Sequence, residues 1–218
     1  MYTNVNLEAP IGALALLGTG GLMLLGVLAL IYFLARRQTG RARIVSAAMV
    51  VACAAYVGAL LVFSFTSHET LLARGEEKHF CELDCHLAYS VVNTQQMKSI
   101  ATTPSQLTAQ GQFTVVTLKS RFDETTIAPF RGNGQLYPNS RALTLVDDRG
   151  NRYGPVAQLN TPLTAPLRPG ESYTTDLVFD LPPNSKPTTL LMSEAEWITH
   201  LVIGHENSPL HKQTKFQI

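Results

Sequence analysis

Between Ile11 and Ala35 the chain has no charged residue, and between Ile44 and Phe65 it has none again. Charge is scarce overall, at 15% of 218 residues with a net of +1, which removes the electrostatic footprint a nucleic-acid partner needs. Cysteine is scarce too: there are three, and one of them, Cys53, lies inside the second charge-free run, where it reads as a small apolar packing residue. Neither run carries an ionisable side chain, which argues against a transporter, pump or proton relay. The sequence shows no phosphate-binding loop, no Ser/His/Asp order and no carboxylate pair with a stated partner, so an enzyme reading has nothing to hold.

What is present in those runs is length. About 20 residues at 1.5 Å each span a bilayer core, so residues 11–35 and 44–65 are two predicted transmembrane helices. The loop joining them, residues 36–43, holds Arg36, Arg37, Arg41 and Arg43, whereas the first ten residues hold no Lys or Arg. Short arginine-rich loops stay cytoplasmic, so residues 1–10 and everything after the hairpin are expected outside, in the periplasm of a bacterial inner membrane. A cleaved signal peptide does not fit, because the basic residues follow the apolar run instead of preceding it. The lipobox-like VVAC ending at Cys53 is buried inside an apolar run and reads as coincidence.

Small residues are plentiful in both runs. The first has Gly12, Gly18, Gly20, Gly21 and Gly26, and the second has Ala48, Ala52, Ala54, Ala55, Gly58 and Ala59. Such residues let helix backbones approach closely in lipid. There are more than one antiparallel seam needs, so Ala48, Ala52, Ala55 and Gly58 are expected to form an interface with helices of other integral membrane subunits.

Residues 66–80 read as a charged juxtamembrane connector, and residues 81–218 as the outer domain. There the pattern alternates: Tyr173, Thr175, Leu177, Phe179 and Leu181 fall on one face, with Thr174, Asp176 and Asp180 on the other. Further strands are expected at 86–92, 113–118, 142–146, 198–203 and 214–218, divided by turn-forming stretches such as Asp147–Asn151 and Arg168–Gly170. The only helical candidate lies near residues 193–197. Many short strands with regular turns mean an all-β immunoglobulin-like sandwich.

The run from Pro166 to Ser172 (PLRPGES), followed by Leu177 to Pro182 (LVFDLP), resembles the signature of telokin-like, immunoglobulin-like domains of bacterial envelope proteins. The resemblance implies an adhesive or scaffolding module and carries over no catalytic residue. The layout of hairpin plus sandwich is similar to accessory subunits of bacterial photosynthetic reaction-centre or respiratory complexes. What that layout implies is a non-catalytic accessory subunit of an electron-transfer complex, with pigment-protein or cytochrome neighbours. In the outer loops, Pro129–Ser140 is the expected partner-binding stretch, through Phe130, Leu136 and Tyr137.

One motif stays open. His79 to His86 reads HFCELDCH, with Cys81 and Cys85 four apart and a histidine on each side. A disulfide needs Cα atoms roughly 4.4–6.8 Å apart, which a tight bend supplies and an extended strand, at about 13 Å, does not. In an oxidising compartment the Cys81–Cys85 bridge is the leading expectation, with no cofactor. The alternative is a copper or haem centre on His79, Cys81, Cys85 and His86. Cys-x-x-x-Cys-His resembles a stretched c-type haem motif, for which Met97 or His200 would supply a second axial ligand. For copper, soft thiolates select Cu(I), but Tyr89 and Val92 stand where an oxidase-type loop has His and Met. Thiol–disulfide exchange lacks its CxxC spacing, and Glu82 and Asp84 would raise the thiol pKa values. His68 reads as an interfacial polar residue, residues 203–208 as a solvated turn, and Trp197 and Tyr32 as interfacial anchors or core.

Overall fold

The computed structural model describes residues 3–4, 9–80, 86–101, 106–126 and 130–218. Along the chain run β1 (Thr3–Asn4), α1 (Ala9–Ala35), α2 (Thr39–Thr66), β2 (Thr70–Leu72), β3 (Lys78–Phe80), β4 (Leu87–Ala101), β5 (Gln106–Phe122), β6 (Arg141–Asp147), β7 (Arg152–Tyr153), β8 (Ala157–Asn160), β9 (Ser172–Leu181), β10 (Pro187–Glu194) and β11 (Thr214–Gln217). They form two compact units. One holds residues 69–196 and 213–218 with β1, and the other holds residues 9–68 and 197–212.

The first unit is a sandwich. One sheet has the order β1-β3-β4-β5-β9-β8 and the other β2-β11-β10-β6-β7. Alternation decides which side chains meet between them: Leu87, Tyr89 and Val91 of β4, Val116 and Leu118 of β5, and Leu177, Phe179 and Leu181 of β9 pack with Leu143, Leu145, Leu190, Met192 and Phe216 of the second sheet. Burying each such side chain stabilises the fold by about 1.5–3 kcal/mol before entropy is counted. The face read from Tyr173 to Leu181 is the face that is buried.

Four elements differ from the sequence expectation. The presumed connector 66–80 contributes β2 and β3, each a sheet member. Its charged residue Lys78 is only 1% exposed, because it reaches between the sheets and donates to the carbonyls of Met192 and Thr214, the latter at 3.1 Å. The strands expected at 86–92 and 113–118 are parts of one long hairpin, β4–β5. Its far half is covered on the outer side of the sheet by a second apolar cluster, with Phe113, Val115 and Val178 packed against Met97, Ile100 and Leu107. At Gly111 the hairpin crosses β9 so closely that a Cβ would lie 1.9 Å from the Leu181 carbonyl oxygen. The strand expected at 198–203 is instead a 3-10 helix, Trp197–Leu201, followed by turns. Of the helical candidate at 193–197, Ser193 and Glu194 end β10 and Trp197 begins the 3-10 helix.

The second unit is the helical hairpin with residues 197–212. Both helices are long and apolar enough to cross a membrane. The half-buried positions of α1 include Leu16, Thr19, Met23, Gly26, Leu30 and Phe33, and those of α2 include Val45, Met49, Ala52, Tyr56 and Ala59. Steps of three and four are the seam of two helices packed side by side. At Gly26 a Cβ would lie 2.8 Å from Met49 Sδ, so the missing side chain admits the thioether.

Candidate functional sites

The first two residues of HFCELDCH, His79 and Phe80, end β3, which pairs antiparallel with β4: Lys78 with Tyr89, His79 with Ala88 and Phe80 with Leu87. Cys81, Glu82, Leu83, Asp84 and Cys85 lie outside the described residues, and so does the bridge or metal pair expected of the two cysteines. The flanking histidines are described, and both are 2% exposed.

His79 belongs to a charged network that sequence reading missed. By register, His79 of β3, Ala88 of β4 and Arg121 of β5 lie abreast on the outer face of their sheet. The His79 Nε2 donates to Asp123 Oδ2 at 3.2 Å. Arg121 grips Glu77 with two parallel bonds, Nε to Oε1 at 2.8 Å and Nη2 to Oε2 at 2.6 Å, and its Nη2 lies 3.3 Å from Asp123 Oδ2. The Thr125 amide and hydroxyl donate to Asp123 Oδ1 at 3.0 and 2.7 Å. Burial raises the Asp123 pKa, but the bonds from Thr125, His79 and Arg121 outweigh it and hold the carboxyl at about 2. The hydrogen bond from Arg121 likewise lowers Glu77. The signal in the sequence was the cluster of opposite charges at strand ends, Glu77 before β3 and Arg121 and Asp123 at the end of β5.

His86 is held differently. Its ring stacks on Phe122 at 5.1 Å and 14°, and its carbonyl accepts the Asp123 amide at 2.7 Å. Among the described residues, no group of three or more His, Cys, Asp and Glu side chains is placed to hold a metal ion. Met97, the haem ligand expected from the same strand, lies ten residues along β4 from Leu87, or roughly 33 Å away by strand rise. That distance removes it as an axial partner of His86. His200 is exposed on the Trp197–Leu201 helix of the other unit.

The expected partner loop divides. Phe130 is 92% exposed and Tyr137 68%, whereas Leu136 packs against the core and pairs with Leu167 through backbone bonds of 2.8 and 2.9 Å. Leu136 is therefore a seat for the loop, not part of its outer surface. Pro129 lies outside the described residues.

The small-residue positions divide too. Ala52 sits in the α1–α2 seam, while Ala48, Ala55 and Gly58 are exposed on another face of α2. A Cβ added at Gly58, Gly18, Gly20 or Gly21 would meet nothing within 4 Å. A cavity of about 360 Å³ in the same unit is lined by Ile11, Gly12, Ala15, Ala59, Phe63 and Ile203.

Residues 203–208, expected as a solvated turn, are the reverse. His205, Glu206, Asn207 and Ser208 are 1–7% exposed. The Asn207 amide donates to His205 Nδ1 at 3.0 Å, Asn207 Nδ2 to Thr199 Oγ1 at 2.8 Å, and Ser208 Oγ to the Val202 carbonyl at 2.5 Å.

No family model matches the chain, and no curated protein does. Among solved structures, the secreted Mycobacterium tuberculosis protein MPT63 aligns at 15% identity and a TM-score of 0.45, over 70% of this chain and 100% of its own. A β-sandwich protein from Clostridium difficile 630 aligns at 8% identity and a TM-score of 0.43, over 70% of this chain and 95% of its own. The architecture is two long apolar helices followed by a two-sheet sandwich, and the helices fit a membrane anchor.

Proposed function

We propose that the chain is a non-catalytic accessory subunit of a bacterial inner-membrane complex, with its sandwich in the periplasm. The observation that carries the reading is the division of small residues on the hairpin. The seam between α1 and α2 uses Gly26 and Ala52, yet Gly18, Gly20, Gly21, Ala48, Ala55 and Gly58 remain open. Lipid rewards no particular residue size, whereas a neighbouring helix packs best on small ones. The aromatic side chains Phe130 and Tyr137, displayed from a loop whose base is pinned at Leu136, suit a soluble or peripheral partner at the outer surface. The charge network around His79 supports the same reading, because its carboxylates are satisfied by Arg121, His79 and Thr125. Such a network fixes the β3–β4 hairpin against β5 and leaves no activated base for catalysis. The telokin-like resemblance of Pro166–Pro182 adds the scaffolding role, and the layout points to an electron-transfer complex of the photosynthetic or respiratory kind.

Native size tests this. Solubilised from its own membrane in mild detergent, the protein should migrate with other subunits at several times its own 23.8 kDa. Migration at monomer size would leave a free-standing envelope protein as the better account.

A further inference from the structure

Residues 197–212 wear their polarity inside out. Trp197 is 71% exposed, Ile198 and Leu201 42% each and Leu210 65%, while Thr199, His205, Glu206, Asn207 and Ser208 are buried. A segment facing water buries apolar groups and exposes polar ones, because each apolar surface removed from water stabilises the fold. The inverse arrangement is stable where the surrounding solvent is hydrocarbon and backbone polar groups must be satisfied internally.

The position of the segment agrees. Tyr56 of α2 donates its hydroxyl to the Leu201 carbonyl at 2.6 Å, and Ser67 accepts the Lys212 amide at 2.8 Å. At Gly12 of α1 a Cβ would lie 2.0 Å from the Ile203 carbonyl oxygen, so the segment's backbone rests directly on the helix. Tyr56 is ten residues from the end of α2 and Gly12 three from the start of α1, or about 15 and 5 Å along the helix axes. The segment therefore lies alongside the outer ends of the two membrane helices, level with Leu14 and Phe65, which are each 69% exposed. Of its exposed polar side chains, His200 and Lys212 are of the type that reaches to headgroups.

We infer that residues 197–212 form a re-entrant element embedded in the outer leaflet, with Trp197, Ile198, Leu201 and Leu210 in contact with lipid. Non-helical backbone is tolerated at that depth because the turns bond to one another and to the hairpin: Ser208 to Val202, Asn207 to Thr199 and Leu201 to Tyr56. The occupant is the bilayer, because these exposed apolar side chains belong to a segment that rests on α1 and α2, whose own exposed side chains at those ends, Leu14 and Phe65 among them, are apolar too.

Trp197 is the chain's single tryptophan, so its fluorescence reports this segment alone. The full chain, reconstituted in phosphatidylcholine vesicles, should lose most of its tryptophan emission when the upper acyl chains are brominated. Aqueous iodide should change it little. A second reading comes from Trp197→Phe combined with Leu210→Trp, which should behave the same way. Iodide quenching without bromolipid quenching, at either position, would put the segment in water and overturn the inference. Protection from both quenchers would overturn it as well, since a protein surface and not lipid would then cover the patch.

Discussion

His79 of β3 and Asp123, just past the end of β5, meet at 3.2 Å across the intervening β4, with His79 2% exposed and Asp123 not exposed at all. A carboxylate in that setting remains ionised only because Thr125, His79 and Arg121 all donate to it. Folding therefore lowers its pKa from the ordinary 3.8 to about 2. A depressed carboxylate contributes stability that is fully present above the unfolded value and is lost as pH falls through the folded one. The sandwich should accordingly lose stability between about pH 4 and pH 2, by denaturant unfolding of the full chain in detergent. Asp123→Asn should flatten that segment of the profile. A wild-type profile that is already flat there would contradict the assignment.

Lys78 gives a second prediction. Its ammonium donates to the carbonyls of Met192 and Thr214 inside the core, and it lies 4.8 Å from the Phe80 ring centre. Lys78→Met keeps the stem volume and leaves both carbonyls without that donor. The cost should be about 1–3 kcal/mol, read as a lower denaturation midpoint with an unchanged slope. A midpoint equal to the wild type would mean the carbonyls find other partners at no cost.

The cysteine pair carries the third. Phe80 and Leu87 are paired on adjacent strands, and Cys81 and Cys85 lie between them in the sequence. Thiol labelling of the native, unreduced protein should modify neither. Elemental analysis should show no stoichiometric copper, and the visible spectrum no Soret band. Cys81→Ser should cost on the order of 1–2 kcal/mol, since so small a loop has little closure entropy to remove. One copper per chain would replace the bridge with a metal centre.

Topology gives the fourth. Thr39, which begins α2 beside the four arginines, becomes a reporter when changed to cysteine in a chain lacking Cys53. A membrane-impermeant maleimide should leave it unlabelled in intact cells and label it after lysis. Labelling in intact cells would place the arginine loop outside. Thr3–Asn4 pairs with Lys78–His79, so a residue pair before α1 belongs to the same unit as the strands after α2.

The sequence was most legible where one periodicity ran uninterrupted. Tyr173–Leu181 alternates and is β9, and two charge-free runs are α1 and α2. It was least legible where the environment inverted the usual code. Lys78 reads as a connector residue because charge signals solvent, yet it spans the core by donating to backbone carbonyls. The far half of β4–β5, rich in Gln, Thr and Ser, carries few apolar positions and so gives no clean alternation, although Met97, Ile100 and Leu107 do pack. Residues 198–203 read as a strand because Ile198, Leu201 and Val202 are apolar, but only Val202 of these is buried. The His79–Asp123 pair was invisible because 44 residues separate its members. Only the register of three strands brings them together.

The central claim, membership of a larger complex through the open face of α2, is tested most directly by co-purification. Ala55→Leu with Gly58→Leu adds bulk to exposed positions outside the α1–α2 seam, where a Cβ at Gly58 meets nothing within the chain. Solubilised from the native membrane in mild detergent, the tagged wild type should bring its partner subunits with it. The double variant should be inserted and folded, with an unchanged denaturation midpoint, and come away alone. Recovery of the same partners in the same amounts with the variant would contradict the account.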